Sequence, residues 1–279
     1  MARIPICICK NCGSIGSIRV DIDKRGGRNA YMCDFHARRL MGYSDENSTR
    51  SGDMKKHGFT FSIELETSFS DMKARGELLD FGFIPTSDCT VDIEYKSPIY
   101  QGLNAISKQA TSIEKLMNVG CLSINSTCGT HFHVGHETLI NPITMGYLKR
   151  FYHSIFVPLS DACTSNPERA ARLFGRDLSG RWAMPIDAYT HPERHENFIN
   201  LQHDFTIEFR ACKFINAAQY MNCVKFCRDV TATVIENFIK HFNDEDFDRR
   251  RYADVTAYRK HKAQVTAAKI VKLFDKYAN

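Results

Sequence analysis

The sequence predicts an α+β fold with a mainly antiparallel sheet. Short segments of strand-like alternation are interleaved with longer segments of helical periodicity. The strand-like segments carry charged residues, unlike the all-apolar strands of a parallel sheet that is covered on both faces. A chain of 279 residues with 43% hydrophobic and 25% charged residues is also long and apolar enough to bury a core of this kind.

The alternation of apolar and polar residues locates the predicted strands of the main part of the chain. These strands are 59–68, 90–96, 130–135 and 205–212. Helical periodicity predicts helices over roughly 102–119, 141–163, 167–175, 216–242 and 255–277. The 216–242 segment has the clearest pattern, because apolar residues such as Tyr220, Val224 and Cys227 recur at helical spacing.

Composition divides the chain into three segments. Residues 1–41 are rich in cysteine and contain two short strand-like pieces, 14–22 and 29–32, around a Gly-rich turn, which predicts a small zinc ribbon or knuckle. Residues 42–57 are polar and nearly free of apolar residues, which predicts a linker. Residues 58–279 are predicted to form the main domain.

Four residues of the N-terminal segment have the spacing of zinc ligands. Cys9 and Cys12 form one pair, and Cys33 and His36 form a second pair with the same spacing. Zn²⁺ prefers four sulfur or nitrogen ligands in a tetrahedron, and a segment this short needs such a metal to hold it together. Cys7 could replace Cys9, and the sequence leaves that choice open. The alternative is that these are scattered core cysteines.

A zinc site with four protein ligands leaves no coordination position open for catalysis. We therefore predict a structural role for this Zn²⁺. Zinc ribbons often touch nucleic acid, so contact with nucleic acid or protein through this segment is a further prediction.

Charge and hydropathy indicate a protein that is not dedicated to nucleic acid or membrane binding. The net charge of +5 suits an anionic ligand such as a nucleotide, but it is small for a dedicated nucleic-acid-binding protein. No apolar run is long enough for a membrane span, and the segment that begins at Met1 lacks the apolar stretch of a secretory signal. With 11 cysteines, these features predict a reducing, cytoplasmic location without a membrane partner.

Four predicted strands each place a pair of polar side chains on one face. Because side chains on a strand alternate between faces, residues i and i+2 lie about 6.5–7 Å apart on the same face. The pairs are Glu64 with Glu66, Asp92 with Glu94, His131 with His133, and Glu208 with Arg210. The residues between them are apolar and are predicted to face the core.

If these strands share a sheet, carboxylates, imidazoles and a guanidinium lie on one face. Carboxylates at such a short separation repel each other unless a cation neutralises their charge. Oxygen ligands with one or two imidazoles suit Mg²⁺ or Mn²⁺, and Mg²⁺ usually completes its coordination shell with substrate phosphates. The alternative is that each strand has a solvated polar side, as antiparallel strands commonly do.

In their order and residue types, the four motifs resemble those of the amidoligase family of carboxylate–amine ligases, which is related in fold to glutamine synthetase and glutamate–cysteine ligase. The motifs are F-S-I-E-L-E ending at Glu66, D-C-T-V-D-I-E-Y-K-S-P ending at Pro98, C-G-T-H-F-H-V-G ending at Gly135, and N-L followed by T-I-E-F-R ending at Arg210. The resemblance covers roughly residues 58–242. The N-terminal zinc segment lies outside it.

The resemblance implies a glutamine synthetase-like catalytic domain over residues 58–279. In such a domain, helices pack on the convex face of a curved sheet, and the concave face binds ATP and Mg²⁺ or Mn²⁺. The implied metal or nucleotide ligands are Glu64, Glu66, Glu94, His131, His133 and Glu208. Arg210 would face the transferred phosphoryl group, with Glu64 and Glu208 as the other catalytic residues. Lys96 stands where such proteins more often have an aliphatic residue.

The implied activity is ATP-dependent formation of an amide or isopeptide bond through an acyl phosphate. The substrates would be a carboxylate and an amine, each on a small molecule, a peptide or a protein. A phosphotransferase on the same fold is one alternative. A metal-dependent hydrolase built on His131 and His133 is another, but the histidines that could add ligands show no matching pattern; they are His153, His191, His195 and His203. A third is a nucleic-acid-binding protein that uses the zinc segment and the basic runs at 249–251 and 259–262.

Overall fold

The computed structural model describes residues 18–21, 29–32, 58–86, 91, 93–140, 142–178, 183–203, 205–241 and 254–279. They form a mixed structure of helices and antiparallel strand pairs, which confirms the broad fold class. The chain divides into two compact units between His131 and Phe132. The predicted zinc ligands Cys9, Cys12, Cys33 and His36, and the predicted linker, lie outside the described residues.

Groups of strands and groups of helices are interleaved along the chain. The strands are β1 (Ile18–Asp21), β2 (Asn29–Met32), β3 (Phe59–Thr67), β4 (Phe69–Ser70), β5 (Ile84–Thr86), β6 (Ile93–Lys96), β7 (Tyr100–Gln101), β8 (Leu122–Ser123), β9 (Thr130–His136), β10 (Ile199–Asn200) and β11 (Thr206–Phe209). The α-helices are α1 (Met72–Asp80), α2 (Leu103–Asn118), α3 (Pro142–Arg150), α4 (Tyr152–Ser165), α5 (Pro167–Phe174), α6 (Ala217–Asn237) and α7 (Val255–Tyr277). Short 3₁₀ helices follow β9 at Glu137–Ile140 and α6 at Ile239–His241.

These bounds confirm most of the predicted elements, divide one predicted helix into two, and add a helix and several short strands that were not predicted. The predicted helix over 141–163 is two helices, α3 and α4, because the chain turns at Phe151. Helix α1 was not predicted, because only Ala74 and Leu78 of its nine residues are buried and the apolar pattern is short. It begins where the Asp71 carboxylate accepts a hydrogen bond from the Ala74 N–H at 2.8 Å.

In the first unit, strand β3 pairs antiparallel with β6. This register places Glu64 opposite Lys96 and Glu66 opposite Glu94. Residues directly opposite each other in an antiparallel pair share a face, so these four side chains lie on one side of the two strands. The intervening residues of β3 belong to the buried core, as predicted. Strand β7 pairs with the start of β3, and β5 pairs with β6.

Ser97 fixes the end of β6 against β3. Its hydroxyl oxygen accepts a hydrogen bond from the Ile63 N–H at 2.8 Å, and its own N–H donates to the Ile63 carbonyl at 2.8 Å. The hydroxyl also donates to the Pro98 carbonyl at 2.8 Å. Because Ser97 is buried, breaking these bonds would leave polar groups without water to replace them. They hold the register that pairs Glu64 with Lys96.

In the second unit, β11 lies between β9 and β10. Its antiparallel register places Glu208 opposite His133 on one side and opposite Asn200 on the other. Phe132 is fully buried and packs edge-on against Tyr220 of α6, with ring centroids 5.1 Å apart. Helix α6 is joined to the end of α7 by a hydrogen bond from the Asn222 side-chain amide to the Tyr277 carbonyl at 2.7 Å.

None of the helices in the described parts of the chain combines the length and the apolar character that a membrane crossing needs.

Candidate functional site

The first unit contains a group of acidic, basic and imidazole side chains that we call the first-unit cluster: Glu64, Glu66, Glu94, Lys96 and His131. The imidazole of His131 lies between two carboxylates, with Nδ1 3.3 Å from Glu64 Oε2 and Nε2 3.6 Å from Glu66 Oε1. Ligand atoms of Glu64, Glu94 and His131 all lie within 4.8 Å of one another. This cluster could hold a metal ion.

Two carboxylates of this cluster, Glu66 and Glu94, are buried and held in place. Glu66 accepts a hydrogen bond from the Gly129 N–H, and Glu94 accepts one from the Thr86 hydroxyl at 2.8 Å. Burial, and then the negative charge of Glu64, raise the pKa of Glu94 above its usual range. The sequence left open the alternative that each strand simply has a solvated polar side. That alternative does not describe these strands, because Glu66, Glu94 and His131 are buried away from water.

Lys96 supplies positive charge to the same face. Its ammonium lies 2.9 Å from Glu64 Oε1 and 3.5 Å from Glu94 Oε2. Burial by itself lowers the pKa of Lys96, but the charges of Glu64 and Glu94 outweigh it and raise the pKa above its usual range. Lys96 is thus a counter-ion of two predicted metal ligands.

Gly129 packs closely against two side chains of the first-unit cluster. A Cβ at this position would lie 2.7 Å from His131 Nε2 and 3.3 Å from Glu66 Oε2. The present position of His131 thus depends on the missing side chain. Two carboxylates and an imidazole in this setting suit Mg²⁺ or Mn²⁺.

Gly129→Ala is expected to weaken Mn²⁺ binding by about 10-fold or more and to destabilise the protein by about 1–3 kcal/mol, because His131 must move away from the new methyl group. Gly76→Ala is the matched control. Gly76 lies in α1, no atom would come within 4 Å of its Cβ, and alanine there should stabilise the helix by up to about 1 kcal/mol. Mn²⁺ titration and urea unfolding measure both effects. Equal Mn²⁺ affinities in the two variants would contradict the expectation.

The second unit contains a separate group, the second-unit cluster, made of His133, His203, Glu208 and Arg210. Arg210 Nη1 donates to Glu208 Oε1 at 2.7 Å, and Glu208 is only 1% exposed. His133 Nε2 lies 4.0 Å from Glu208 Oε1, and His203 Nε2 lies 3.7 Å from Glu208 Oε2. The predicted pair Glu208 and Arg210 is therefore a buried ion pair flanked by two imidazoles.

His203 is a member of this cluster that the sequence pattern does not identify. It lies in the connection between β10 and β11, and the pairing of those strands brings it beside Glu208. The available signal was its position between the N-L and T-I-E-F-R parts of the fourth motif. His203 is thus a candidate further ligand beside His133, which the sequence could not assign.

The structure brings the predicted site residues into two groups. Glu64, Glu66, Glu94 and His131 lie in the first unit, and His133, Glu208 and Arg210 lie in the second. Asp92 lies outside the described residues. The prediction that all of these residues act on one nucleotide stays a prediction, as does the structural zinc site.

The basic run on α7 has packing contacts within the second unit. The Arg259 guanidinium lies 4.9 Å from the centroid of the Tyr147 ring, and the Lys262 ammonium lies 5.4 Å from that of Tyr258. These cation–π contacts explain two of the basic residues without nucleic acid. The run at 249–251 lies outside the described residues.

Comparison with known proteins finds no matching family model and no matching curated protein. Among solved structures, the chain resembles one described as "Crystal structure of novel glutamine synthase homolog" with a TM-score of 0.33 and 12% sequence identity. The likeness covers 82% of this chain and 67% of that chain. At this distance it assigns no function.

Proposed function

We propose that this protein is an ATP- and Mg²⁺-dependent carboxylate–amine ligase. The observation that carries the proposal is the first-unit cluster, in which Glu64, Glu94 and His131 present ligand atoms within 4.8 Å of one another. The cluster is formed by three of the four motifs that resemble the amidoligase family, in the family's order. We also propose that the sheet is glutamine synthetase-like and that the N-terminal segment is a structural zinc knuckle.

Four residues of the first unit would hold the divalent cation: Glu64, Glu66, Glu94 and His131. When bound, the cation would supply charge neutralisation to the ATP phosphates. Lys96 limits the net negative charge of the cluster, because it is already paired with two of the carboxylates. The Gly129 N–H orients Glu66, so that its other oxygen is directed to His131.

Arg210 would contact the phosphoryl oxygens during transfer, with Glu208 and His133 completing the ligand set. Glu208 holds one nitrogen of the guanidinium at 2.7 Å. The buried Nε–H of Arg210 makes no hydrogen bond to any described residue. Glu208 thus fixes one side of the Arg210 guanidinium, and the Nε–H remains as a hydrogen-bond donor. Such a group is suited to stabilise the negative charge that develops on the phosphoryl oxygens during transfer.

The proposed reaction has two steps. The γ-phosphoryl group of ATP is transferred to a substrate carboxylate, which gives ADP and an acyl phosphate. An amine then attacks the acyl carbon, the amide bond forms, and inorganic phosphate leaves. Activation is needed because an unmodified carboxylate would have to expel oxide, whereas the acyl phosphate expels phosphate.

The test is a screen of amino acids, polyamines and peptides with ATP and Mg²⁺, analysed by mass spectrometry. We expect a product with the mass of one carboxylate plus one amine minus water, together with ADP and phosphate in equal amounts. A stable phosphorylated substrate would instead identify a phosphotransferase. Omission of Mg²⁺ should abolish the product, and formation of the product without ATP would contradict the proposal.

A metal-dependent hydrolase is the second candidate, and one observation favours it. His203 adds an imidazole to His133 and Glu208, so the second-unit cluster has the ligand number that such enzymes use. Substrate cleavage that requires a transition metal and proceeds without ATP would select this candidate over the ligase.

A further inference from the structure

We infer that His133, His203 and Glu208 form a nitrogen-rich metal site in the second unit, which selects a transition metal such as Zn²⁺, Co²⁺ or Mn²⁺ over Mg²⁺. The inference deepens the proposed function, which assigns His133 and Glu208 to a divalent cation, and it rests on that proposal only for the cation's use in catalysis. It adds a third ligand, His203, which none of the sequence motifs includes.

The geometry of the three side chains carries the inference. Their ligand atoms all lie within 4.8 Å of one another, and the two imidazole rings meet edge to face with centroids 4.8 Å apart. Each imidazole nitrogen approaches Glu208, at 4.0 Å for His133 and 3.7 Å for His203. A single cation among the three could therefore be reached by all of them through small side-chain adjustments.

The pairing of β9 with β11 positions two of these ligands, and the hairpin of β10 and β11 positions the third. His133 of β9 lies directly opposite Glu208 of β11, so their side chains share a face. His203 lies in the connection that precedes β11. Sites on paired strands are held more rigidly than sites on loops alone, which favours a defined metal geometry.

Arg210 is a positioning residue for this site. It donates to Glu208 Oε1 at 2.7 Å and so fixes the carboxylate, while Oε2 remains on the side of His203. Hydrogen-bonded partners of this kind orient metal-ligating carboxylates and tune affinity. The arrangement indicates that Glu208 binds the metal ion through one carboxylate oxygen.

The donor set determines the class of metal. Two imidazoles and one carboxylate are the ligands of many Zn²⁺ and non-haem iron sites, which keep further positions open for water or substrate. Mg²⁺ favours an octahedron made mostly of oxygen ligands, so a site in which two of the three protein ligands are imidazoles favours a transition metal over Mg²⁺. The His203 side chain is 49% exposed, so an ion can reach the site from solvent.

The competing explanation is an ion-pair network without metal, in which the two histidines only surround a buried carboxylate. The two explanations differ in what they predict for His203. In the network, replacing an exposed histidine has no effect on metal content, whereas in the metal site it removes a ligand.

The test uses the 279-residue chain, freed of metal and titrated with Co²⁺, with visible absorption as the readout. Cobalt bound by imidazole and carboxylate absorbs in the visible range but lacks the intense near-ultraviolet band of cobalt bound by thiolates. The two spectra therefore distinguish cobalt at this site from any cobalt at the N-terminal cysteines. We expect His203→Ala to weaken one non-thiolate cobalt site by about 10- to 100-fold, while a site at the first-unit cluster, which lacks His203, keeps its affinity. His195→Ala, which changes another exposed histidine of the same unit, should leave both sites unchanged.

Equal non-thiolate cobalt binding in the His203→Ala variant and the unchanged chain would overturn the inference, and so would the absence of any such binding. ATP-dependent ligation with Mg²⁺ is measured on the same preparations. Ligation that continues when His203-dependent cobalt binding is absent overturns the inference alone. Cobalt binding that depends on His203, without ligation by any substrate pair, overturns the proposed function alone.

Discussion

Glu64→Gln is expected to reduce Mg²⁺-dependent ATP turnover by about 10²–10³-fold, the cost of losing one preorganised electrostatic group in an active site. Glu64 is the residue of the first-unit cluster that contacts both the imidazole of His131 and the ammonium of Lys96. Glutamine keeps the size and hydrogen-bonding capacity of the side chain but removes the charge that would bind a cation. Phosphate release in the presence of substrate measures the effect.

Glu114→Gln is the matched control for this variant. Glu114 lies on α2 in the same unit and does not belong to the cluster, so its charge can be removed without touching the proposed ligands. Its turnover should stay within about twofold of the unchanged protein, in line with the small effects of substitutions away from a site. Undiminished turnover in Glu64→Gln would show that Glu64 is not a metal ligand. It would then contradict the proposal that the first-unit cluster holds the cation.

The strand periodicity predicted the same-face pairs Glu64–Glu66 and Glu208–Arg210, because the i, i+2 rule depends only on backbone geometry. It placed Glu64 and Glu66 on one face, which the register of β3 and β6 confirms, and it placed Glu208 beside Arg210, with which Glu208 forms an ion pair. The same rule puts Lys96 on the face of Glu94. Its role as a counter-ion depended on strand pairing, which the sequence does not specify.

Other features required tertiary structure. His203 becomes a neighbour of Glu208 only because β10 and β11 form a hairpin, and no periodicity predicts a contact between a loop and a strand. The importance of Gly129 depends on how closely His131 approaches it. The turn at Phe151 interrupts a continuous helical pattern without a glycine at that position, so the sequence predicted one helix where there are two.

Arg210→Leu is expected to lower the free energy of unfolding of the metal-free protein by about 3–5 kcal/mol, the cost of leaving a buried charge without its partner. Glu208 is 1% exposed and Arg210 is 5% exposed, so water cannot replace the guanidinium. His133 and His203 can compensate the carboxylate only when they are protonated. Urea unfolding followed by circular dichroism measures the change.

Arg194→Leu is a matched control, because Arg194 also pairs with a glutamate two residues away, Glu196, at 3.3 Å. Arg194 is 49% exposed, and an exposed pair contributes at most about 1 kcal/mol. A similar loss of stability in both arginine variants would show that burial does not decide the strength of the Arg210–Glu208 pair.

The double variant Arg210→Leu/Glu208→Leu separates the cost of an unpaired charge from the cost of losing the pair. If most of the Arg210→Leu effect comes from the stranded Glu208 carboxylate, removing that carboxylate as well should restore part of the lost stability. A double variant that loses the sum of the two single effects would mean that the residues contribute independently. Recovery of stability would indicate that the buried pair of Glu208 and Arg210 does not stabilise the fold, as expected of residues whose role is to bind a cation and an anionic substrate.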